Sequence, residues 1–209
     1  MKRRKRLVVF TGAGMSAESG ITTFRDSGGL WEKYRIEDVA THDAWDRNRK
    51  LVLDFYNQRR EQVQNAKPNA AHFFIAELQH KFDVHVITQN VDDLHERAGS
   101  KHVIHLHGEL AKSRSTKDGS LIYPVGINGI RLGDICEKGS QLRPHIVWFG
   151  ELVPMMDHAN VFASTAELFV VIGTSLNVYP AAGILNFVDP EMPKWLLDPG
   201  EFHLEYIRH

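Results

Sequence analysis

The sequence predicts an α/β protein: a Rossmann-like, doubly wound parallel sheet with a smaller lobe formed by two insertions. Three observations carry this expectation. Short apolar runs recur along the chain, helical patterns lie between them, and two longer stretches fit neither pattern. Leu7-Val-Val-Phe10 precedes Thr11-Gly-Ala-Gly14, Val84-His-Val-Ile87 precedes Thr88-Gln-Asn90, and Leu168-Phe-Val-Val-Ile172 precedes Gly173-Thr-Ser175. Runs of this kind, bounded by glycine or polar residues, read as strands buried on both faces. Lys194-Trp-Leu-Leu197 and His102-Val-Ile-His-Leu106 read as two more. Residues 70–78 carry a helical pattern, with Asn69 placed to cap it. Alternation of strand and helix implies right-handed crossovers and a parallel sheet, whose ligands gather beyond the carboxyl ends of the strands. All three polar or glycine-rich turns fall at those ends.

The two stretches that do not fit are residues 31–66, helical and charged, and residues 111–143, irregular and only weakly strand-like. The expected division is a large lobe of about 1–30, 67–110 and 144–209, and a small lobe of about 31–66 and 111–143. At 209 residues the chain can bury roughly 70% of its unfolded surface, enough for a single domain with its own core.

Composition excludes several classes of protein. Hydrophobic content of 43% and a net charge of −1 are ordinary for a globular chain and give no global attraction to nucleic acid or anionic membranes. The basic start, residues 2–6, leads into too few apolar residues for a secretory signal, and no run approaches a membrane span. A single cysteine, Cys136, precludes an internal disulfide. These features predict a cytoplasmic monomer without nucleic-acid or membrane partners.

The turn at Gly12-Ala13-Gly14 follows a strand and leads into Met15-Ser16. Glycines allow close backbone approach to a pyrophosphate, whose charge a helix N-terminus favours. A hydride-transfer enzyme would carry an acidic residue at the end of a second strand about 20 residues further on. That distance lands in the polar loop Phe24-Arg-Asp-Ser-Gly-Gly-Leu-Trp31, and the next good strand begins only at Val84. A simple dehydrogenase is disfavoured.

Five motifs then occur in order: Gly12-Ala-Gly-Met-Ser-Ala-Glu-Ser-Gly-Ile-Thr-Thr-Phe-Arg-Asp26, Thr88-Gln-Asn-Val-Asp-Asp-Leu-His95, His107-Gly-Glu-Leu110, Arg143-Pro-His-Ile-Val-Trp-Phe-Gly-Glu151 and Gly173-Thr-Ser175. The ordered set resembles the sirtuins from the first strand to Pro180. The resemblance implies an enzyme that consumes NAD to remove acyl groups from protein or peptide lysines, yielding nicotinamide, free lysine and O-acyl-ADP-ribose. It implies His107 as general base toward a ribose hydroxyl, a task suited to an imidazole that titrates near neutrality. It places Asn90 and Gln89 by the ribose, and Asp92 at the nicotinamide amide. Gly12, Ala13, Gly14, Ser16, Phe24 and Arg25 fall at the diphosphate side, and Gly173, Thr174 and Ser175 at the adenosine side. Phe149, Gly150 and Glu151 fall at the acyl-peptide substrate.

Tyr56 and Arg59 lie three apart in a helical stretch and so share one face. A guanidinium is the favoured bidentate partner of a carboxylate. The spacing resembles the sirtuin branch that removes succinyl, malonyl or glutaryl groups, in which a small residue at the position of Ala40 widens the acyl pocket. A solvated helix face is the alternative reading of the same pair.

Two departures from the family pattern stand out. Most sirtuins hold a structural zinc with two Cys-x-x-Cys pairs, whereas Ser115, Asp118, Ile135 and Lys138 occupy those positions here, with Cys136 one residue away. No Cys₄ site can form, and the expectation is a metal-free lobe. The apolar residues Leu121, Ile122, Tyr123, Val125, Ile127, Ile130, Leu132 and Ile135 are expected to staple it by burial instead. His102, His105 and His107 lack a further ligand to complete a metal set. Beyond Leu197 the family has a loop with an adenosine-contacting asparagine and then a last helix, while this sequence passes directly into residues 202–209, an expectation of weakened NAD binding. Rival readings are a regulatory NAD-binding module without turnover, and mono-ADP-ribosyl transfer.

Overall fold

The computed structural model describes residues 3–21, 33–126 and 128–198. Its main sheet has strands β1 (Arg6–Thr11), β2 (Asp83–Thr88), β3 (Val103–His105), β7 (Leu168–Ile172) and β8 (Lys194–Leu197), in the order β3-β2-β1-β7-β8. Every pairing is parallel. All five runs singled out by their apolar character are strands of this sheet.

Residues of β1 alternate between the two faces. Val8 and Phe10 pack with α7 (Met156–Ser164) and the 3₁₀ helix Ala181–Phe187, whereas Leu7 and Val9 pack with Ile75 of α5 (Ala70–Leu78). Both faces are therefore covered, which explains why the strand carries no polar residue between Leu7 and Phe10. Each such large apolar side chain contributes roughly 1.5–3 kcal/mol by burial. Asn69 caps α5: its side chain accepts from Ala71 N at 3.0 Å and His72 N at 3.3 Å, while His72 Nδ1 accepts from Asn69 N. A cap of this type stabilises a helix by about 1 kcal/mol.

Residues 36–65 form three helices: α2 (Ile36–Val39), α3 (His42–Arg47) and α4 (Arg49–Asn65). The first break has a tertiary cause. Ala40 O accepts from Phe149 N at 3.0 Å and Thr41 bridges Phe149, so the chain is extended there before Thr41 caps α3. On α4, Val52, Phe55, Tyr56 and Val63 are buried at helical spacing and pack a core with Trp45 and Trp148.

The segment expected to be irregular contains a second, antiparallel sheet, β5-β4-β6, formed by β4 (Gly108–Ser115), β5 (Ile122–Pro124) and β6 (Leu142–Ile146). It starts and ends a few residues outside the expected 111–143. The short helices α1 (Gly14–Ala17) and α6 (Leu94–Arg97) complete the described elements. No helix among the described residues is long and apolar enough to cross a membrane.

The expected apolar staple is not what closes this second sheet. Ile122, Leu132 and Ile135 are exposed, and Ile130 alone of the expected set is fully buried among the described residues; Ile127 lies outside them. A polar clasp stands there instead, built on Ser115, Asp118 and Lys138 with Cys136 and Ser140. Ser115 Oγ takes Lys117 N and Asp118 N, each at 3.1 Å, and meets Ser140 Oγ at 2.8 Å and Cys136 Sγ at 3.3 Å. Lys138 Nζ closes on Asp118 Oδ2 at 2.6 Å. The N–H groups of Lys117 and Asp118 are thus taken by a serine hydroxyl. Satisfying those donors, rather than burying hydrocarbon, is what the clasp achieves.

Candidate active site

Between β1 and β7 the chain's crossover direction reverses, and ligands of open α/β sheets collect in such a crevice. The turns leaving these two strands press on each other: Gly12 N donates to Ile172 O at 3.1 Å and Gly14 N to Gly173 O at 2.8 Å. A Cβ on Gly14 would lie 2.9 Å from Gly173 Cα, and Gly173 has φ +61°, so glycine is required on both sides of the contact.

The turn after β2 completes the crevice. Ser16, from the first turn, is the hub: its hydroxyl donates to Asp92 Oδ2 at 3.0 Å and accepts from Asn90 Nδ2 at 3.0 Å. Leu94 N donates to Asp92 Oδ1 at 3.2 Å. Burial raises the Asp92 pKa, although the Leu94 and Ser16 hydrogen bonds oppose that rise. Gln89 Nε2 donates to Thr174 Oγ1 at 2.9 Å, joining the turns after β2 and β7. Ser175 follows, partly exposed.

His107 is half-buried just beyond β3, with Nδ1 3.0 Å from Gln89 O. A carbonyl oxygen can only accept, so Nδ1 carries the ring proton and Nε2 keeps the lone pair. Among the described residues no hydrogen-bond partner occupies Nε2. Burial lowers the His107 pKa, with the Gln89 bond acting against it, so the ring favours the neutral form a base needs.

Tyr56 and Arg59 lie on α4, close enough to interact electrostatically. Tyr56 is buried, and its oxygen accepts from Trp148 Nε1 at 3.1 Å. Burial pushes its pKa up to about 12. The Arg59 guanidinium lies within electrostatic reach of both Tyr56 and Asp92, which oppose the lowering that burial imposes. Ala40 is buried beside Phe149 through the backbone bond already described. Phe149 is half-exposed, and Gly150 turns the chain with φ +86°.

Glu151 is placed differently from a substrate ligand. Its carboxylate receives Arg143 Nη1 at 2.6 Å, Arg114 Nη2 at 3.1 Å and Trp148 N at 2.9 Å. Burial raises its pKa, but the Arg143 bond and charge outweigh that and hold it below the usual carboxylate range. The side chain thus braces the Trp148–Phe149 turn. Phe24 and Arg25 lie outside the described residues.

Sequence reasoning treated His105 only as an incomplete metal ligand. In the fold both its ring nitrogens are engaged, Nδ1 with Asn90 O at 2.9 Å and Nε2 with Glu96 Oε1 at 2.8 Å. The available signal was its spacing: two residues before His107 on an extended chain puts both side chains on one face. Among the described residues no group of three or more His, Cys, Asp or Glu side chains is arranged to hold a metal ion.

A switch-point crevice with interlocked glycine turns, and a carboxamide, a carboxylate and a neutral imidazole at the adjoining strand ends, defines a dinucleotide-binding α/β protein with an acid–base centre. The chain belongs to the Sir2 family, whose model matches residues 12–180. It is 54% identical over 201 residues to an NAD-dependent protein deacylase of Bacteroides thetaiotaomicron, covering 93% of this chain and 86% of that protein. It is 51% identical over 195 residues to an NAD-dependent protein deacylase of Helicobacter pylori, covering 93% and 83%. Among solved structures, a Sir2 homologue in complex with NAD superposes with a TM-score of 0.86 at 43% identity, covering 98% of this chain and 82% of that one. A Sir2–p53 peptide–NAD+ complex gives 0.81 at 33% identity, covering 98% and 85%.

Proposed function

We propose that this chain removes acyl groups from protein lysines at the expense of NAD, with nicotinamide, free lysine and O-acyl-ADP-ribose as products. The observation that carries this reading is the fixed tautomer of His107, whose Nε2 lone pair is left for a substrate hydroxyl at the mouth of the switch-point crevice. The deacylase relatives and the family match support the same reaction.

The residues present suit NAD. The glycines at 12, 14 and 173, with Ala13 between the first two, leave no room for larger side chains where the turns after β1 and β7 meet, so the rim there is bare main chain that a diphosphate can approach closely. Thr174 and Ser175 continue that rim toward the adenosine. NAD, when bound, supplies a ribose carbon activated by its nicotinamide leaving group. Gln89 and Asn90 then orient the ribose, and the Asp92 carboxylate accepts from the nicotinamide amide. Ser16 holds Asn90 and Asp92 at a fixed separation, so neither has to be ordered when ligand binds. His107 takes the proton of the ribose hydroxyl at Nε2.

For the acyl group, our reading is a preference for succinyl or malonyl over acetyl. Trp148 donates to the Tyr56 oxygen and so leaves the phenolic proton for another acceptor, and Arg59 lies within electrostatic reach of that phenol. Together they offer a hydroxyl and a guanidinium to one acyl carboxylate, with Ala40 leaving room.

The test is to incubate the protein with NAD and acyl-lysine peptides, following nicotinamide and O-acyl-ADP-ribose by mass spectrometry, with His107→Ala alongside. Stoichiometric formation of both products by the parent protein, lost in the variant, is the expected result. ADP-ribose left covalently on protein, or full turnover by His107→Ala, would overturn the reading.

A further inference from the structure

His105 ends β3 and is 9% exposed. Its Nδ1 faces the Asn90 carbonyl, which has lone pairs only, so Nδ1 bears a proton. One further proton is then shared between Nε2 and the Glu96 carboxylate at 2.8 Å. Glu96 is 40% exposed at its side chain, so water solvates the carboxylate and the proton rests on the ring. Burial disfavours a charged His105, yet the Glu96 hydrogen bond and charge, with the Asn90 carbonyl, raise its pKa above the ordinary histidine value.

The surroundings agree with a cation. Glu109 on β4 and Asp92 in the turn after β2 both interact favourably with it, while the buried His95 on α6 interacts unfavourably and is held neutral. Glu96 on α6 is the carboxylate in contact.

Asn90 is pinned at three points. Its N–H donates to Thr88 Oγ1 at 3.0 Å, its side chain to Ser16, and its carbonyl accepts from His105. The third point ties the turn to the neighbouring strand, on the side from which His107 likewise holds Gln89 O. Two successive carbonyls of the turn are thus gripped by two histidines of one strand end.

We propose that His105 is a positioning residue for the reaction: an imidazolium paired with Glu96 that fixes the turn carrying Asn90 and Asp92 against the ribose and nicotinamide of NAD. The proposal rests on the roles given to Asn90 and Asp92 above. Its charge does a second thing, favouring the ionised form of Asp92 in a site where burial works against it.

Two substitutions separate the two ring nitrogens. His105→Asn places an amide nitrogen near the Nδ1 position, keeping a donor for the Asn90 carbonyl but no charge. His105→Gln reaches the Nε2 position and leaves that carbonyl without its donor. Glu96→Gln keeps a neutral acceptor and removes the counter-charge. Steady-state kinetics with NAD and a succinyl-lysine peptide, nicotinamide inhibition and the pH profile are the readouts.

His105→Gln is expected to raise both KM for NAD and the nicotinamide inhibition constant about tenfold, the worth of one charge-assisted hydrogen bond. His105→Asn should recover most of that loss. Glu96→Gln should fall behind the parent protein near neutral pH and close the gap as pH is lowered, because without the carboxylate burial makes the ring give up its proton at a lower pH. Protection of the melting temperature by added NAD should weaken in the same variant. If the variants lower melting temperature alone, with KM and nicotinamide inhibition unchanged, or if His105→Asn is no better than His105→Gln, the proposal fails. Retention of turnover by His107→Ala would instead sink the parent reading.

Discussion

Trp148 Nε1 donates to the Tyr56 oxygen at 3.1 Å, and this single bond decides which way the phenol can act. With its oxygen already accepting from Trp148, Tyr56 has its own proton to offer. Its pKa of about 12 keeps that proton in place at any physiological pH. The indole is itself fixed: Arg143 lies 3.3 Å over its ring and Trp45 packs 5.7 Å away.

Arg59→Met is expected to reduce kcat/KM on a succinyl-lysine peptide about a hundredfold, the loss of a charge-assisted pair, while changing the acetyl-lysine value less than about threefold. Parallel losses on the two peptides would remove the acyl-selecting role from Arg59.

His107 should set the acid limb of the rate. Burial lowers its pKa, the Gln89 carbonyl opposing, so the neutral base persists as pH falls through the ordinary histidine range. The midpoint of the acid limb of kcat/KM for NAD is expected below about 6.5. A midpoint at or above that value, measured with a substrate that does not titrate there, contradicts the assignment.

The protein should lose stability in mild acid. His72 and His95 are buried with ring centroids 4.8 Å apart, and His72 Nε2 and His95 Nδ1 have no hydrogen-bond partner among the described residues. Burial pushes the His72 pKa down to about 4 and that of His95 to about 3. In the unfolded chain both titrate near 6.5, so below that pH the unfolded state binds more protons and is favoured. Their contribution is complete above the unfolded value and drains away as pH falls from there toward 4. His105 acts in the opposite sense: its raised pKa stabilises the fold below about 6.5 and is lost as pH rises through the folded value. Between pH 7 and 5.5 the buried pair should cost roughly 2 kcal/mol, a drop in Tm of about 5 °C. A melting temperature flat across that interval would be the contrary outcome.

The clasp around Ser115 should respond to hydrogen-bond loss and not to chelation. Ser115→Ala strips the acceptor from Lys117 N and Asp118 N, at a cost of about 1–3 kcal/mol. Added EDTA is expected to leave the parent protein's Tm unmoved. A chelator-dependent fall in Tm, with stoichiometric zinc in tag-free protein, would show that a metal is held after all.

Much of the fold was legible because its strands are buried on both faces: a run such as Leu7 to Phe10 admits few other readings. The motifs led directly to Ser16, Gln89, Asn90, Asp92 and His107, which the fold brings to one crevice. What was not legible depends on partners distant in sequence. Nothing near Ala40 announces that Phe149 will hold it extended and split the helical stretch. Apolar character at Leu132 and Ile135 suggested burial, yet Ser140 and Gln141 supply the hydrogen bonds that close this region and leave both side chains in water. The resemblance places Glu151 at the acyl-peptide substrate; nothing near it in sequence announces that Arg114 and Arg143 of the second sheet hold its carboxylate.

The mutual contact of Gly14 and Gly173 has a consequence for how such a protein can change. One methyl group added to either residue would wedge apart the loops that leave β1 and β7. On the ligand assignment proposed above those loops serve the diphosphate and the adenosine, so affinity for the two cannot drift independently by enlarging a side chain at this junction. Variation is pushed to positions outside the seam, since Thr174 faces Gly12 across it and Ser16 ties Asn90 to Asp92.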